Sequence, residues 1–159
     1  MSQAFLTFSV LLAIAAAASD FRSLRIPNAI PAGIAISFLT AAALDSMPLS
    51  VVLPHLAIGA AALVVCIGLF AVRALGGGDG KLIAALSLWA GPELVLPFLV
   101  YTTLIGGLFA LATLSASRMP LPVWAYTIDW VAATGKRRSI PYGVAIALGA
   151  LVTFWSRIT

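Results

Sequence analysis

Gly76-Gly77-Gly78-Asp79-Gly80-Lys81 sets an acid and a run of glycines between apolar stretches of membrane length. An ionisable side chain near membrane depth is expensive to keep there, so it points to function and to a partner elsewhere in the chain. That partner is Asp20. It closes the first apolar stretch and opens Asp20-Phe21-Arg22-Ser23-Leu24-Arg25-Ile26-Pro27-Asn28, the other short polar stretch bordered by long apolar runs. Composition agrees: 62% of the 159 residues are hydrophobic and 9% charged, and the mean hydropathy is +1.12. Such a chain is an integral membrane protein folded as one transmembrane domain, with no stretch left for a separate soluble domain.

Outward from the glycines, the apolar runs predict an all-α, polytopic protein of about six transmembrane helices. They fall at residues 5–19, 30–44, 49–72, 82–91, 94–117 and 140–156. The small-residue run at 15–19 resembles a signal-peptide cleavage region, but no Lys or Arg precedes Arg22, so the basic amino-terminal region of a signal peptide is missing. Pro27 disfavours helix at Ile26, and Asn28 is a suitable N-cap for the second helix. The fourth helix is short: ten residues rise about 15 Å, half the hydrocarbon thickness. Either the glycines and Asp79 dip to membrane depth beside a water-filled cavity, or neighbouring helices shield a short helix. Pro92-Glu93 then predicts a tight turn, and Gly106-Gly107 a point of close helix packing. The segment 118–139 mixes Arg118, Lys136, Arg137 and Arg138 with Trp124, Tyr126 and Trp130, the pattern of an interfacial stretch.

The cations sort by connection. Arg22 and Arg25 lie in the first, Arg73 and Lys81 flank the third, and the other four lie in the fifth, leaving Arg157 alone of the nine on the opposite side. The positive-inside rule makes the basic side of this multi-pass protein cytoplasmic and puts both termini outside. Asp20 and Asp79 then share one side and one depth. Two carboxylates held close share a proton that belongs to the pair: one activates water while the other acts as an acid toward a carbonyl. Gly76, Gly77, Gly78 and Gly80 lack side chains, which lets the backbone turn sharply and lets a substrate backbone approach Asp79.

Other chemistries fit poorly. A phosphate-binding loop needs Ser or Thr after Gly80-Lys81, and Leu82 stands there; the glycine spacing of a dinucleotide fingerprint is also absent. Cys66 is the lone cysteine and sits in an apolar run, and His55 is the lone histidine, so no metal ligand set or cofactor is expected. His55 reads as a hydrogen-bonded interface residue. A flexible loop with a solvated Asp79, a small cation-coupled transporter or channel using Asp20 and Asp79, and a non-catalytic membrane scaffold remain as alternatives on the residues alone.

Residues 76–82, Gly-Gly-Gly-Asp-Gly-Lys-Leu, resemble the GxGD motif of the membrane aspartyl proteases, in the GxGDxKL form of prepilin peptidases. Asp20-Phe21-Arg22 with Arg25-Ile26-Pro27-Asn28 is similar to that family's first aspartate motif, and Ile140-Pro141-Tyr142-Gly143 to its motif at the last helix. The Pro-Ala-Leu motif of presenilin-like relatives is absent. The resemblance implies a hydrolase in which Asp20 and Asp79 cleave the leader of prepilins or pseudopilins at the cytoplasmic face. The lone cysteine and short first connection further resemble the peptidase-only branch of tight-adherence (Flp-type) pili, without a methyltransferase domain. Lys81 and Arg25 are candidates to hold lipid headgroups or to bias one aspartate, Pro27 and Pro141 to shape helix starts, and Asn28, Tyr142 and Gly143 to support the site. Asp129 is the one further acid on the inner side, whereas Asp45 and Glu93 are expected as solvated turn residues. Partners are the precursor substrate and membrane lipids, with no nucleic acid; the oligomeric state has no signal in the sequence.

Overall fold

A computed structural model describes residues 2–116 and 141–159. They form five helices and no strand: α1 (Ser2–Ser23), α2 (Ala29–Leu44), α3 (Leu49–Ala71), α4 (Gly77–Ala116) and α5 (Tyr142–Ile158). The interfacial stretch expected at 118–139, with Asp129, lies outside the described residues.

Six expected helices become five because the fourth and fifth are two arms of α4. Gly91, with φ 58° and ψ −168°, breaks the helix between them. Glycine tolerates that conformation, and Pro92 is suited to the first position of the arm that follows. Pro92 has no N–H for the Leu88 carbonyl four residues back. His55 Nδ1 fills the vacancy, donating to Leu88 O at 2.6 Å, and its ring stacks on Phe38 with centroids 5.4 Å apart. The expected turn at Pro92-Glu93 is thus made one residue earlier and braced from α3.

The arms double back on each other. Asp79, twelve residues before the bend, and Thr103, twelve after it, line the same cavity. In a straight helix they would stand about 36 Å apart. The first arm also begins at Gly77 rather than Leu82, so it rises about 21 Å instead of 15 Å. Glycine disfavours helix by about 1 kcal/mol per residue, which is why the sequence pattern starts the helix late. Here that preference is overridden by packing: added Cβ atoms would lie 3.3 Å from Phe70 at Gly77, 3.1 Å from Ile26 at Gly78 and 3.0 Å from Cys66 at Gly80. Among the described glycines only Gly91 has positive φ, so these residues serve close packing rather than a sharp turn.

Pairwise contacts fix the directions. Gly33 against Leu12 and Ser9 bonded to Ser37 at 2.7 Å set α1 antiparallel to α2. Gly59 against Leu88 and Gly80 against Cys66 set α3 antiparallel to the first arm. Glu93 with Arg157, Phe98 with Phe154 and Thr102 with Gly149 set the second arm antiparallel to α5. Of the Gly106-Gly107 pair only Gly106 is a packing point, facing the Tyr142 ring; Gly107 has nothing within 4 Å of an added Cβ.

Consequently the end of α1, the start of α2, the end of α3 and the starts of α4 and α5 share one end of the bundle. The start of α1, the 45–48 turn, the Gly91 bend and the end of α5 share the other. At that second end Asp45 accepts a hydrogen bond from the Ser2 N–H at 2.9 Å, and Glu93 pairs with Arg157 at 2.9 Å. Asp45 is thus half-buried and bonded rather than simply solvated, whereas Glu93 is solvated as expected and carries the ion pair at the surface. The core lies among α1, α2, the first arm and α5, with Ile34, Leu82, Leu86, Ile146 and Phe154 fully buried. The outer surface is apolar: Leu11, Ile36, Val64, Phe70, Leu96 and Leu108 are exposed. Residues 2–23, 49–71 and 77–113 are long and apolar enough to cross a membrane, and α2 and α5 are shorter apolar helices. This is the exterior of a protein whose solvent is lipid.

Candidate active site

Asp20 sits in the last turn of α1, not in the connection after it. The helix runs on to Ser23 and is closed by the Leu24 N–H bonding to Asp20 O at 2.8 Å, with Leu24 at φ 52°. Ser19 Oγ bonds to Arg25 O at 2.8 Å and ties down the chain beyond. Asp20 is 6% exposed. Its Oδ2 accepts the backbone N–H of Gly143 at 2.8 Å, from the first turn of α5. The approach requires glycine: a Cβ at 143 would lie 2.9 Å from both Cβ and Oδ2 of Asp20. Pro141, fully buried and preceding α5, sets the start of that helix.

Asp79 occupies the first turn of α4, where unpaired N–H groups favour an anion. Gly76 lies so close that a Cβ there would meet Asp79 Oδ2 at 2.6 Å. Asp79 Oδ1 is buried with no hydrogen-bond partner among the described residues. A buried polar atom without a partner calls for an explanation, and an acceptor awaiting a water or substrate proton is one.

Both aspartates line one cavity of about 1,230 Å³, and Asp20 is near enough for its charge to bear on Asp79. The cavity continues as a cleft between two helix faces. Ala61, Ala62, Val65 and Leu69 of α3 supply one wall, and Val95 and Leu99 of the second arm the other. Positions three and four apart recur on each wall, the signature of a single helix face. Tyr142 also lines the cavity near its carboxylate end. The arrangement is a pair of acids at one end of a long apolar cleft, one held by a backbone N–H and the other with a free oxygen.

The remaining candidates divide. Lys81 and Asn28 lie outside this cavity: Lys81 Nζ donates to Asn28 Oδ1 at 2.9 Å, and Asn28 makes no side-chain cap to α2. Arg25 lines neither this cavity nor the smaller one beside Lys81. Pro27 starts the turn into α2 by accepting the Ile30 N–H at 3.0 Å. Thr102, Thr103 and the α3 face were not legible as site residues, since apolar helix faces look alike until the bend brings them together. Gly143 was marked only by its motif.

Among the described residues, an all-helical bundle with an apolar exterior and two acids converging on an apolar cleft defines a membrane protein with a candidate acid-pair site. The model of the type IV leader peptidase family matches residues 6–111, which include both aspartates but not Tyr142 and Gly143. The chain belongs to that peptidase family. Neither the curated proteins nor the solved structures contain a match.

Proposed function

We propose that the protein is an aspartic endopeptidase of the inner membrane that removes the leader of prepilins or pseudopilins at the cytoplasmic edge. The convergence of Asp20 and Asp79 on one cavity, from positions 59 residues apart in sequence, carries the reading. In the reaction one carboxylate takes a proton from water as the water oxygen bonds to the scissile carbonyl carbon. The other, protonated, gives its proton to the carbonyl oxygen. Collapse of the tetrahedral intermediate breaks the C–N bond, and the leaving amine takes a proton from the pair. The Gly143 N–H holds Asp20 in place through these steps.

The basic end of the bundle is cytoplasmic and both termini are outside, by the charge bias of the connections. With α4 contributing two arms, six helical segments enter the membrane. The α3 wall from Ile58 to Ala71 rises about 20 Å, so the cleft matches much of an apolar substrate helix whose polar leader remains at the carboxylate end. The single-domain peptidase-only form of Flp-type systems fits this chain.

Asp20→Asn and Asp79→Asn test the mechanism. Each keeps the side-chain shape and removes the proton chemistry, so each abolishes cleavage of a co-expressed pilin precursor while the protein still accumulates in the membrane. Near-normal processing by either variant refutes the aspartyl mechanism. Ion flux through liposomes without any cleavage supports the transporter alternative, and activity-independent pilus assembly the scaffold.

A further inference from the structure

A second cavity, about 450 Å³, lies on another flank of the bundle where α2, α3 and the first arm of α4 meet. Small side chains make it: Ala32 and Ala35 from α2, Gly59 and Ala60 from α3, Ala84 and Ala85 from α4. Asn28 and Lys81 are its only polar lining residues, and both stand at the same end. Since α2 and the first arm run parallel here, Asn28 to Ala35 and Lys81 to Leu88 each rise about 10 Å away from that end. The groove therefore starts at a cation and runs into the apolar depth.

Lys81 forms no ion pair among the described residues, and its ammonium is exposed, held by a single hydrogen bond to Asn28 at 2.9 Å. Lysine carries three donors, so two remain for an anion. The first turn of α2 begins beside Asn28 with no side-chain cap, adding a second source of positive field. The groove is too small for a partner helix: at a diameter of about 10 Å a single turn fills roughly 400 Å³, and a spanning helix has five or more turns. A thin, flexible chain hung from an anionic group fits both length and charge.

We infer that this groove is a binding site for an anionic phospholipid, its phosphate on Lys81 and Asn28 and the upper part of one acyl chain along the alanines of α2, α3 and α4. The site is separate from the aspartate pair and stands whether or not the chain cleaves prepilins. A lipid there bridges three helices and braces the first turn of α4, two residues beyond Asp79.

Native mass spectrometry of the purified full-length protein, titrated with phosphatidylglycerol or with phosphatidylcholine of the same chains, tests it. The wild type retains phosphatidylglycerol about fivefold more tightly, the effect of one lysine at an anionic headgroup. Lys81→Gln brings the two lipids level, and Lys81→Arg restores the preference. Ala60→Phe, at an exposed position lining the groove, lowers retention of both. Glycerol phosphate and inorganic phosphate, which lack the chain, do not compete at equal concentration. A wild type that does not discriminate, a preference that survives Lys81→Gln, undiminished binding to Ala60→Phe, or competition by either chainless anion each overturns the assignment.

Discussion

Replacing Gly143 by alanine tests the geometry of the acid pair more sharply than removing an acid. The new Cβ would stand 2.9 Å from Asp20 Oδ2, and ordinary contact begins at 3.4 Å, so the carboxyl group must retreat by about half an ångström. Retreat along the hydrogen bond stretches it from 2.8 Å to about 3.3 Å, beyond the usual N–H···O range. A weakened charge-assisted bond and local overpacking together cost about 1–3 kcal/mol of stability. Misplacing a reacting group by this order of distance costs up to about 100-fold in rate. The assay is cleavage of a purified pilin precursor in proteoliposomes, with kcat and KM separated and thermal unfolding measured in parallel. Gly107→Ala is the control: an added Cβ there meets nothing within 4 Å. Relief of glycine's helix penalty should leave Gly107→Ala equal to or up to about 1 kcal/mol more stable than the wild type, with full activity. A Gly143→Ala enzyme with unchanged kcat, or one that falls no further than Gly107→Ala, would refute the positioning of Asp20 by the α5 backbone.

Gly91→Ala forces a side chain into positive φ and against the His55 ring, and should lower the unfolding midpoint with a loss of at least about 1 kcal/mol; an unchanged midpoint would mean the bend is not made as described. Arg73→Gly, at a helix end with φ 60°, should raise stability by about 1 kcal/mol in the same measurement. For topology, Met47→Cys in a Cys66→Ala background should react with an impermeant thiol reagent on intact spheroplasts, and reaction only after lysis would reverse the orientation. Inserting four apolar residues to carry the scissile bond about 6 Å deeper should stop cleavage; efficient cut of the deep-set bond would place the centre well inside the membrane.

Much of this was legible because charge and hydropathy act over whole segments. The alternation of basic connections brought Asp20 and Asp79 to one end of the bundle, where both line one cavity. Boundaries set by single contacts were not legible. The glycines of 76–80 read as loop because intrinsic propensity says so, yet tight packing on Ile26, Phe70 and Cys66 makes 77–80 helical. Asn28 has the chemistry of a cap and spends its oxygen on Lys81, 53 positions away. Asp45 and Glu93 lacked partners in any local pattern, because Ser2 and Arg157 reach them only after the chain has folded. Gly143 stood out from Gly107 only through its motif; its contact with Asp20 exists only once α5 packs beside α1.

The bend at Gly91 also bears on how the chain is made. Between Lys81 and Arg118 the only charged side chain is Glu93, at the tip of the reversal. As the nascent chain leaves the ribosome, this stretch can enter the bilayer as one hairpin, its arms hydrogen-bonded within themselves, without a soluble loop having to be threaded across. The transfer carries a single carboxylate past the hydrocarbon, a penalty of about 3 kcal/mol set against some thirty largely apolar residues. That acid would meet Arg157 only once α5 packs against the second arm. The pair is too exposed to hold the fold together, but its formation would report that α5 has packed against the second arm of α4.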